Sequence, residues 1–299
     1  MSLSRIGILG APEEPRFTEI VAGLTRGLRE LGYTDKTIEI VEGRVPRGDN
    51  ASERAVVEKM VQQRIQVLFA IGSRLVSQAR QVSADLPIIF ITPGDPVASG
   101  LVASLARPGG NTTGMTFEYP ELSGKRLELL KEMAPRVRRV LALYDPRDDS
   151  PKQSLAAARD AAPNLGLRLI ERETRSREDV TQALKALVDT DAVLAIPGGQ
   201  PTANNKEIIQ AANGKRLPTI FHARTGSTGE ALASYGANDA EIARQSARLV
   251  DKILKGTKAS EIPVERPTKL EFVISLKTAK QIGLTVPPNV LARADRVIR

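Results

Sequence analysis

Short runs rich in Val, Ile and Leu, most of them continuously apolar, recur along the chain at residues 5–9, 38–45, 67–71, 88–92, 137–144, 167–173, 192–197, 218–222 and 270–275. A run without polar alternation is how a parallel strand covered on both faces reads. Between these runs the apolar period lengthens to that of a helix. Phe17, Ile20, Val21, Leu24, Leu28 and Leu31 share one helical face, and Gly32 follows as a stop. Val56, Val57, Met60 and Val61 make residues 52–64 a second helix. Ser123 reads as the N-cap of a helix that carries Leu127, Leu130 and Met133 and is ended by Pro135. Residues 241–255 form another, with Ile242, Leu249, Ile253 and Leu254 on its apolar face and Gly256 after it.

Strand and helix in alternation imply doubly wound parallel sheets. About ten strands are too many for one open sheet of this helix content. After Arg107-Pro-Gly-Gly-Asn-Thr-Thr-Gly114 the strand–helix count starts again, giving two similar halves. Two lobes fit this better than one sheet with an insertion, and 299 residues suit two α/β domains.

Composition narrows the class. With 41% hydrophobic and 26% charged residues the chain reads as globular. No apolar run approaches the roughly 20 residues of a membrane span. The stretch from Ile6 to Leu9 is too short for the core of a signal peptide, so no export signal is expected. A secreted chain read from its mature domain has the same appearance. The absence of cysteine excludes disulfides and thiolate chemistry and is neutral about compartment. A net charge of +8 raises nucleic acid as a partner, but the Lys and Arg are spread over helix faces and aromatics make up 3%. Solvated surface charge is the expectation, with no nucleic-acid partner.

In open α/β sheets ligands bind outside the carboxyl ends of the strands. The loops there are Gly10-Ala-Pro-Glu-Glu-Pro15, Gly72-Ser73-Arg74 and Thr92-Pro-Gly-Asp-Pro96 in the first half. In the second half they are Tyr144-Asp-Pro-Arg-Asp-Asp-Ser150, Pro197-Gly-Gly-Gln-Pro201 and His222-Ala-Arg-Thr225. Such loops expose backbone N–H groups that suit a carboxylate. The candidate ligand-binding residues are Pro12, Phe17, Ser73, Thr92, Gly94, Asp95 and Tyr119, then Asp145, Ser150, Gly198, Gly199, Gln200, Arg224 and Tyr235. Ser73 reads equally as a helix cap or a ligand contact. Asp95 reads equally as a turn residue or an ammonium partner. Arg224 reads as a carboxylate clamp or a surface charge. Tyr119, Tyr144 and Tyr235 suit a cleft or a packed hinge.

Other chemistries lack their residues. Asp145, Asp148 and Asp149 lack the spacing and late Glu of a Ca²⁺ loop, so turn chemistry is expected and no metal. His222 is the single histidine, without a nucleophile elbow, so no catalytic residue is assigned. No dinucleotide fingerprint, P-loop or zinc spacing is present, and no cofactor is expected.

Several segments resemble one family. They include Gly27-Leu-Arg-Glu-Leu-Gly-Tyr33, Gly94-Asp-Pro-Val97, Gly100-Leu-Val-Ala-Ser-Leu-Ala-Arg-Pro-Gly-Gly-Asn111 and Gly124-Lys-Arg-Leu-Glu-Leu-Leu-Lys131. Ser234-Tyr-Gly236, Val250-Asp-Lys-Ile-Leu-Lys-Gly256 and Pro267-Thr-Lys-Leu-Glu-Phe-Val-Ile-Ser-Leu-Lys-Thr-Ala-Lys280 belong to the same set. Together they resemble the ABC-transporter substrate-binding family that includes the tryptophan-binding TrpX proteins, in order from Ile6 to about Arg296.

The resemblance implies a type I periplasmic-binding-protein fold: two Rossmann-like lobes with parallel sheets, three hinge crossovers and a ligand in the cleft. The crossovers would fall near Thr116, near Tyr235 and Gly236, and between Pro267 and Leu270. The lobes would comprise residues 1–116 with 237–266, and 117–236 with 267–299. It further implies an extracytoplasmic or periplasmic, monomeric receptor that hands an aromatic or hydrophobic amino acid, or a related carboxylate, to an ABC permease. The specificity-bearing segments 13–17, 147–150 and 222–226 match no common family pattern. A ligand-sensing module of a regulatory system with the same fold is the alternative, and an enzyme the third reading.

Overall fold

Each of the apolar runs contains a strand. The computed structural model describes residues 3–10, 15–45, 50–118, 120–147, 149–185, 187–222 and 230–299. The chain divides into two units, Met1–Phe117 with Asp239–Thr268, and Glu118–Asn238 with Lys269–Arg299. It therefore passes between them three times.

In the first unit the order is β1 (Ser4–Gly10), α1 (Pro15–Glu30), β2 (Ile38–Arg44), α2 (Asn50–Gln62), β3 (Val67–Ile71), α3 (Ser73–Val82), β4 (Ile88–Pro93) and β5 (Thr112–Glu118). The sheet runs β2-β1-β3-β4-β5. Leu9, Leu68, Ala70, Ile88 and Phe90 share a core with Val57 and Met60 of α2 and Val76 and Ala79 of α3. Ile8, Val67, Phe69, Ile89 and Ile91 occupy the alternate positions and are buried too. Successive strand side chains point to opposite faces, so this sheet is covered on both.

The second unit begins with α4 (Pro120–Met133), β6 (Arg139–Tyr144), α5 (Asp149–Ala161), β7 (Arg168–Glu173), α6 (Arg177–Lys185) and β8 (Ala192–Ala195). It continues with α7 (Gly199–Ala203), α8 (Asn205–Gly214), β9 (Thr219–Phe221) and β10 (Ala233–Gly236). The chain then enters the first unit as α9 (Asp239–Leu254). It returns as β11 (Glu271–Ser275), α10 (Leu276–Ile282), α11 (Pro288–Leu291) and β12 (Arg296–Ile298). The sheet order is β12-β11-β10-β9-β8-β6-β7. From β6 onward this repeats the winding of the first unit, with β7 outside β6 and then β8, β9 and β10 on the other side. Val140 and Ala142 lie in one core with α4 and α5, while Leu141 and Leu143 lie in another with α6 and α8.

Three strands carry no apolar run. β5 interleaves Met115 and Phe117 with threonines, β10 is Ala-Ser-Tyr-Gly, and β12 is Arg-Val-Ile. Their neighbours make them strands. β10 pairs with β11 antiparallel, Ser234 opposite Val273, unlike the parallel pairing of the adjoining β9–β10. Only consecutive strands joined by a helical crossover must run parallel, and β11 is reached after the excursion through the first unit.

Ser123 is not an N-cap. α4 starts at Pro120, whose fixed φ suits the first helical turn, so Ser123 lies inside the helix with its side chain fully buried. Gly32 does stop α1: its φ is +90°, and the N–H groups of Gly32 and Tyr33 bond back to Arg29 and Leu28 at 3.0 and 3.1 Å.

Helix α1 packs closely against α9. Gly23 and Gly27, four residues apart, share one face of α1. A Cβ on Gly23 would lie 2.1 Å from the Ala240 carbonyl oxygen, and one on Gly27 would lie 2.3 Å from that of Arg244. At one end of this contact the Tyr33 hydroxyl donates to Asp251 at 2.8 Å. Burial, helped by this bond, pushes the Tyr33 hydroxyl up to about 12. Among the described residues no helix is long and apolar enough to cross a membrane.

Candidate functional site

In each unit the winding reverses once, between β1 and β3 in the first and between β6 and β8 in the second. At such a switch point the loops leave in opposite directions and open a crevice at the carboxyl ends of the strands.

In the first unit, Gly10 ends β1 beside Phe17. Phe17 is buried, with the Arg44 guanidinium 5.1 Å above its ring. Ser73 opens α3 as its first residue. Gly72 stands at the cap position and no side chain caps the helix, so Ser73 is not the cap. Arg74 beside it reaches the buried Glu53 of α2 at 3.2 Å. Thr92, also buried, bonds the Pro93 carbonyl at 3.1 Å. The Gly94 carbonyl accepts from Thr116. Asp95 is exposed and its Oδ1 accepts from the N–H groups of Val97 and Ala98 at 2.8 and 3.2 Å, a turn-forming role.

In the second unit, Asp145 sits at the end of β6 with only 2% of its surface exposed. Its Oδ1 accepts from the Arg147 backbone N–H at 3.1 Å and from Arg147 Nε at 2.9 Å. Its Oδ2 accepts from Arg147 Nη2 at 2.5 Å and from the Gln200 N–H at 3.1 Å. Burial pushes this carboxyl up, but the Arg147 and Gln200 bonds outweigh it and hold Asp145 below the usual carboxylate range. Gly199 presses against the same carboxylate. Its φ is +56°, and a Cβ there would lie 2.2 Å from Asp145 Oδ2. Asp145 thus ties the loop after β6 to the loop after β8, across the switch point. Gly198 has a φ of +100° and its N–H donates to Thr202 Oγ1 at 2.8 Å. The Gln200 side chain accepts from Asn204 at 2.9 Å. Ser150 is buried in the first turn of α5.

Tyr235 of β10 is half-buried, edge-on to Phe272 with ring centres 6.3 Å apart. Its carbonyl accepts from Arg126 Nε at 2.8 Å. Arg126 of α4 is fully buried. A buried guanidinium persists only when its N–H groups are met, so Arg126 is a fixed brace for the end of β10 and not a solvated helix charge. Gly236, next in the strand, abuts the carbonyl of His222 at the end of β9. His222 itself is buried. Tyr144 is half-buried and bonds Glu173 at 3.1 Å.

The winding brings Asp145, Gly198, Gly199, Gln200 and Ser150 to one switch point in the second unit, and Ser73, with Phe17 beside Gly10, to that of the first. Thr92, Gly94 and Asp95 lie at the end of the next strand in the first unit, and Tyr235 two strands away in the second. Pro12, Tyr119 and Arg224 lie outside the described residues. Sequence reasoning missed Arg126, and it marked residues 147–150 as a specificity-bearing segment without naming Arg147 itself as a ligand contact. A strand-terminal Asp two residues before an Arg, with Pro146 between, was the available signal for Arg147.

Two α/β units of like winding, threaded three times by one chain, with small polar residues gathered at the strand ends, define the class of type I periplasmic binding proteins. Residues 5–298 match the family described as ABC transporter substrate binding protein, and the chain belongs to it.

A tyrosine-binding protein of Clostridioides difficile is 26% identical over 280 residues, 93% of this chain and 81% of that one. Among solved structures, an ABC domain in complex with L-Trp from Streptococcus pneumonia is 25% identical with a TM-score of 0.90, covering 99% of this chain and 100% of that chain. A conserved domain protein from Vibrio cholerae is 27% identical with a TM-score of 0.90, covering 98% and 99%.

Proposed function

We propose that this substrate-binding protein takes an aromatic or hydrophobic amino acid, or a related carboxylate, outside the cytoplasm, and delivers it to an ABC permease without chemical change. The observation that carries the reading is the pair of relatives matched along nearly the whole chain, one named for tyrosine and one solved with L-Trp. The strand-end loops suit such a solute. Ser73, Thr92 and Gly94 in the first unit, and Ser150, Gly198 and Gln200 in the second, supply small side chains and backbone groups for its polar end. Asp95, exposed at the end of β4, is the acid proposed for its ammonium group. Tyr235 and Phe17 border these loops as apolar walls.

Closure follows from affinity alone. A solute shifts the protein toward a closed form only as far as it binds that form better than the open one. The three chain passages serve as the hinge, and the receptor works as a monomer.

Calorimetric titration with L-tyrosine, L-tryptophan, L-phenylalanine, L-leucine and aromatic acids tests this. A dissociation constant of roughly 1 µM or lower is expected for at least one aromatic member. At a hundredfold excess over that constant the protein should gain about 2.7 kcal/mol of stability. No binding across the panel, or conversion of the bound solute to product, would overturn the reading.

A further inference from the structure

Among the described residues, Arg147 at the switch point of the second unit is a cationic side chain that is both fixed and accessible. Arg147 presents five N–H donors. Nε and one N–H of Nη2 are taken by Asp145 at 2.9 and 2.5 Å. That bidentate contact fixes the plane of the guanidinium. The other three N–H donors are not bonded to Asp145, the Asp179 carboxylate also acts on the guanidinium, and 37% of the side chain is exposed, against 2% for Asp145.

Asp145 is a poor ligand for an ammonium group. It is buried, and each of its oxygens already accepts two hydrogen bonds. Its carboxylate is anchored from behind by the Gln200 N–H, and Gly199 leaves no room for it to turn. The pair is therefore a cation held in place by a buried anion. A free surface arginine must give up rotamer freedom to grip a ligand; one already braced gives up less.

We propose that Arg147 is the specificity-determining residue that grips the anionic group of the solute, with Asp145 as its positioning residue. The proposal rests on the strand-end placement of the site given above. The chemical class it selects is a carboxylate, over the amide or amine with the same skeleton. Planar N–H pairs match a carboxylate, and an amide offers one oxygen without charge.

The test compares acids with their carboxamides on the full chain. Dissociation constants are measured for L-tyrosine and L-tyrosinamide, L-tryptophan and L-tryptophanamide, and L-leucine and L-leucinamide, with benzoate and benzamide as a pair lacking the amine. The proteins are wild type, Arg147→Met, Arg147→Lys and Asp145→Asn, each melted without ligand to check its fold. Wild type should prefer acid over amide by roughly tenfold to a hundredfold, the range of a charge-assisted hydrogen bond. Arg147→Met should lower that preference about fivefold or more, with Arg147→Lys between the two. Asp145→Asn should weaken the preference while leaving the cation in place.

A merely structural ion pair would change affinity for acid and amide alike. An acid-to-amide ratio in Arg147→Met within about threefold of wild type therefore overturns the proposal. If Arg147→Met does not fold, the same ratio in Arg147→Lys and Asp145→Asn decides. Tight binding of an aromatic amino acid with an unchanged ratio sinks this inference and keeps the proposed function. An Arg147-dependent ratio seen only for the leucine pair keeps the inference and sinks the aromatic reading. No acid binding to wild type overturns both.

Discussion

Gly199 and Asp145 are 54 positions apart and share one small volume. The glycine carries a positive φ, and the space its missing side chain leaves is filled by the Asp145 carboxylate. Gly199→Ala meets two penalties together: left-handed backbone, and a Cβ 2.2 Å from Oδ2 and 2.3 Å from the Cβ of Asp145. Left-handed geometry costs an L-residue about 1–2 kcal/mol and overpacking about 1–3 kcal/mol. Urea unfolding should show a loss of at least ~2 kcal/mol, with the m-value unchanged. Because the displaced group is the one that braces Arg147, solute affinity should fall as well. A stability within about 0.5 kcal/mol of wild type would contradict this account.

At the scale of elements, the α1–α9 contact inverts the ordinary rule for glycine in a helix. Alanine is the better helix former by about 1 kcal/mol. At Gly27, however, the added Cβ would meet the Arg244 carbonyl at 2.3 Å, and neither backbone can yield without parting the helices. Gly27→Ala should lower the melting temperature, with a net cost of about 1–3 kcal/mol. Gly214, at the end of α8, has nothing within 4 Å of the same position. Gly214→Ala should leave stability unchanged or raise it by up to about 1 kcal/mol. Opposite signs at the two sites check the contact. Equal effects would mean propensity alone decides.

Much of this layer was legible in the sequence. The runs at the centre of each sheet became strands because both faces are covered there, so burial leaves no alternation to misread; the edge strands β2 and β7 keep charged residues among their apolar ones. The helical periods of α1, α2 and α9 held for the same reason. β10 and β12 were not legible, since Ala-Ser-Tyr-Gly and Arg-Val-Ile become strands only beside β9 and β11. Ser123 misled because a hydroxyl before an apolar period resembles a cap, while Pro120 had already begun the helix. In the site, strand ends could be located from the alternation of elements. The partnership of Asp145 with Gly199 and Gln200 could not, because it depends on β6 and β8 being neighbours. Arg126 was hidden likewise: nothing local distinguishes a buried arginine from a solvated one on the same helix.

At the scale of the whole molecule, each unit is finished by a distant piece of chain. The first lacks α9 until residues 239–254 arrive, and the second lacks β11 and β12 until the last thirty or so residues do. A chain stopped after Asn238 keeps all of β1–β5, yet leaves bare the glycine face of α1 and the apolar side of the sheet beneath. Such a fragment should be cleaved by a nonspecific protease far faster than the full chain and should show no cooperative melting transition. A cooperative, protease-resistant fragment would show that α9 is dispensable.

The same threading sets a clock. Between the end of β5 and the start of α9 the ribosome must add about 120 residues, which at ~5–20 residues per second takes roughly 6–24 s. Throughout that interval the glycine face of α1 stays without its partner helix, however fast the strands collapse. Were the chain sent across a membrane unfolded, that delay would lengthen the interval in which it can be captured. The close seat of α9 on Gly23 and Gly27 therefore forms only after the whole of β6–β10 has been made.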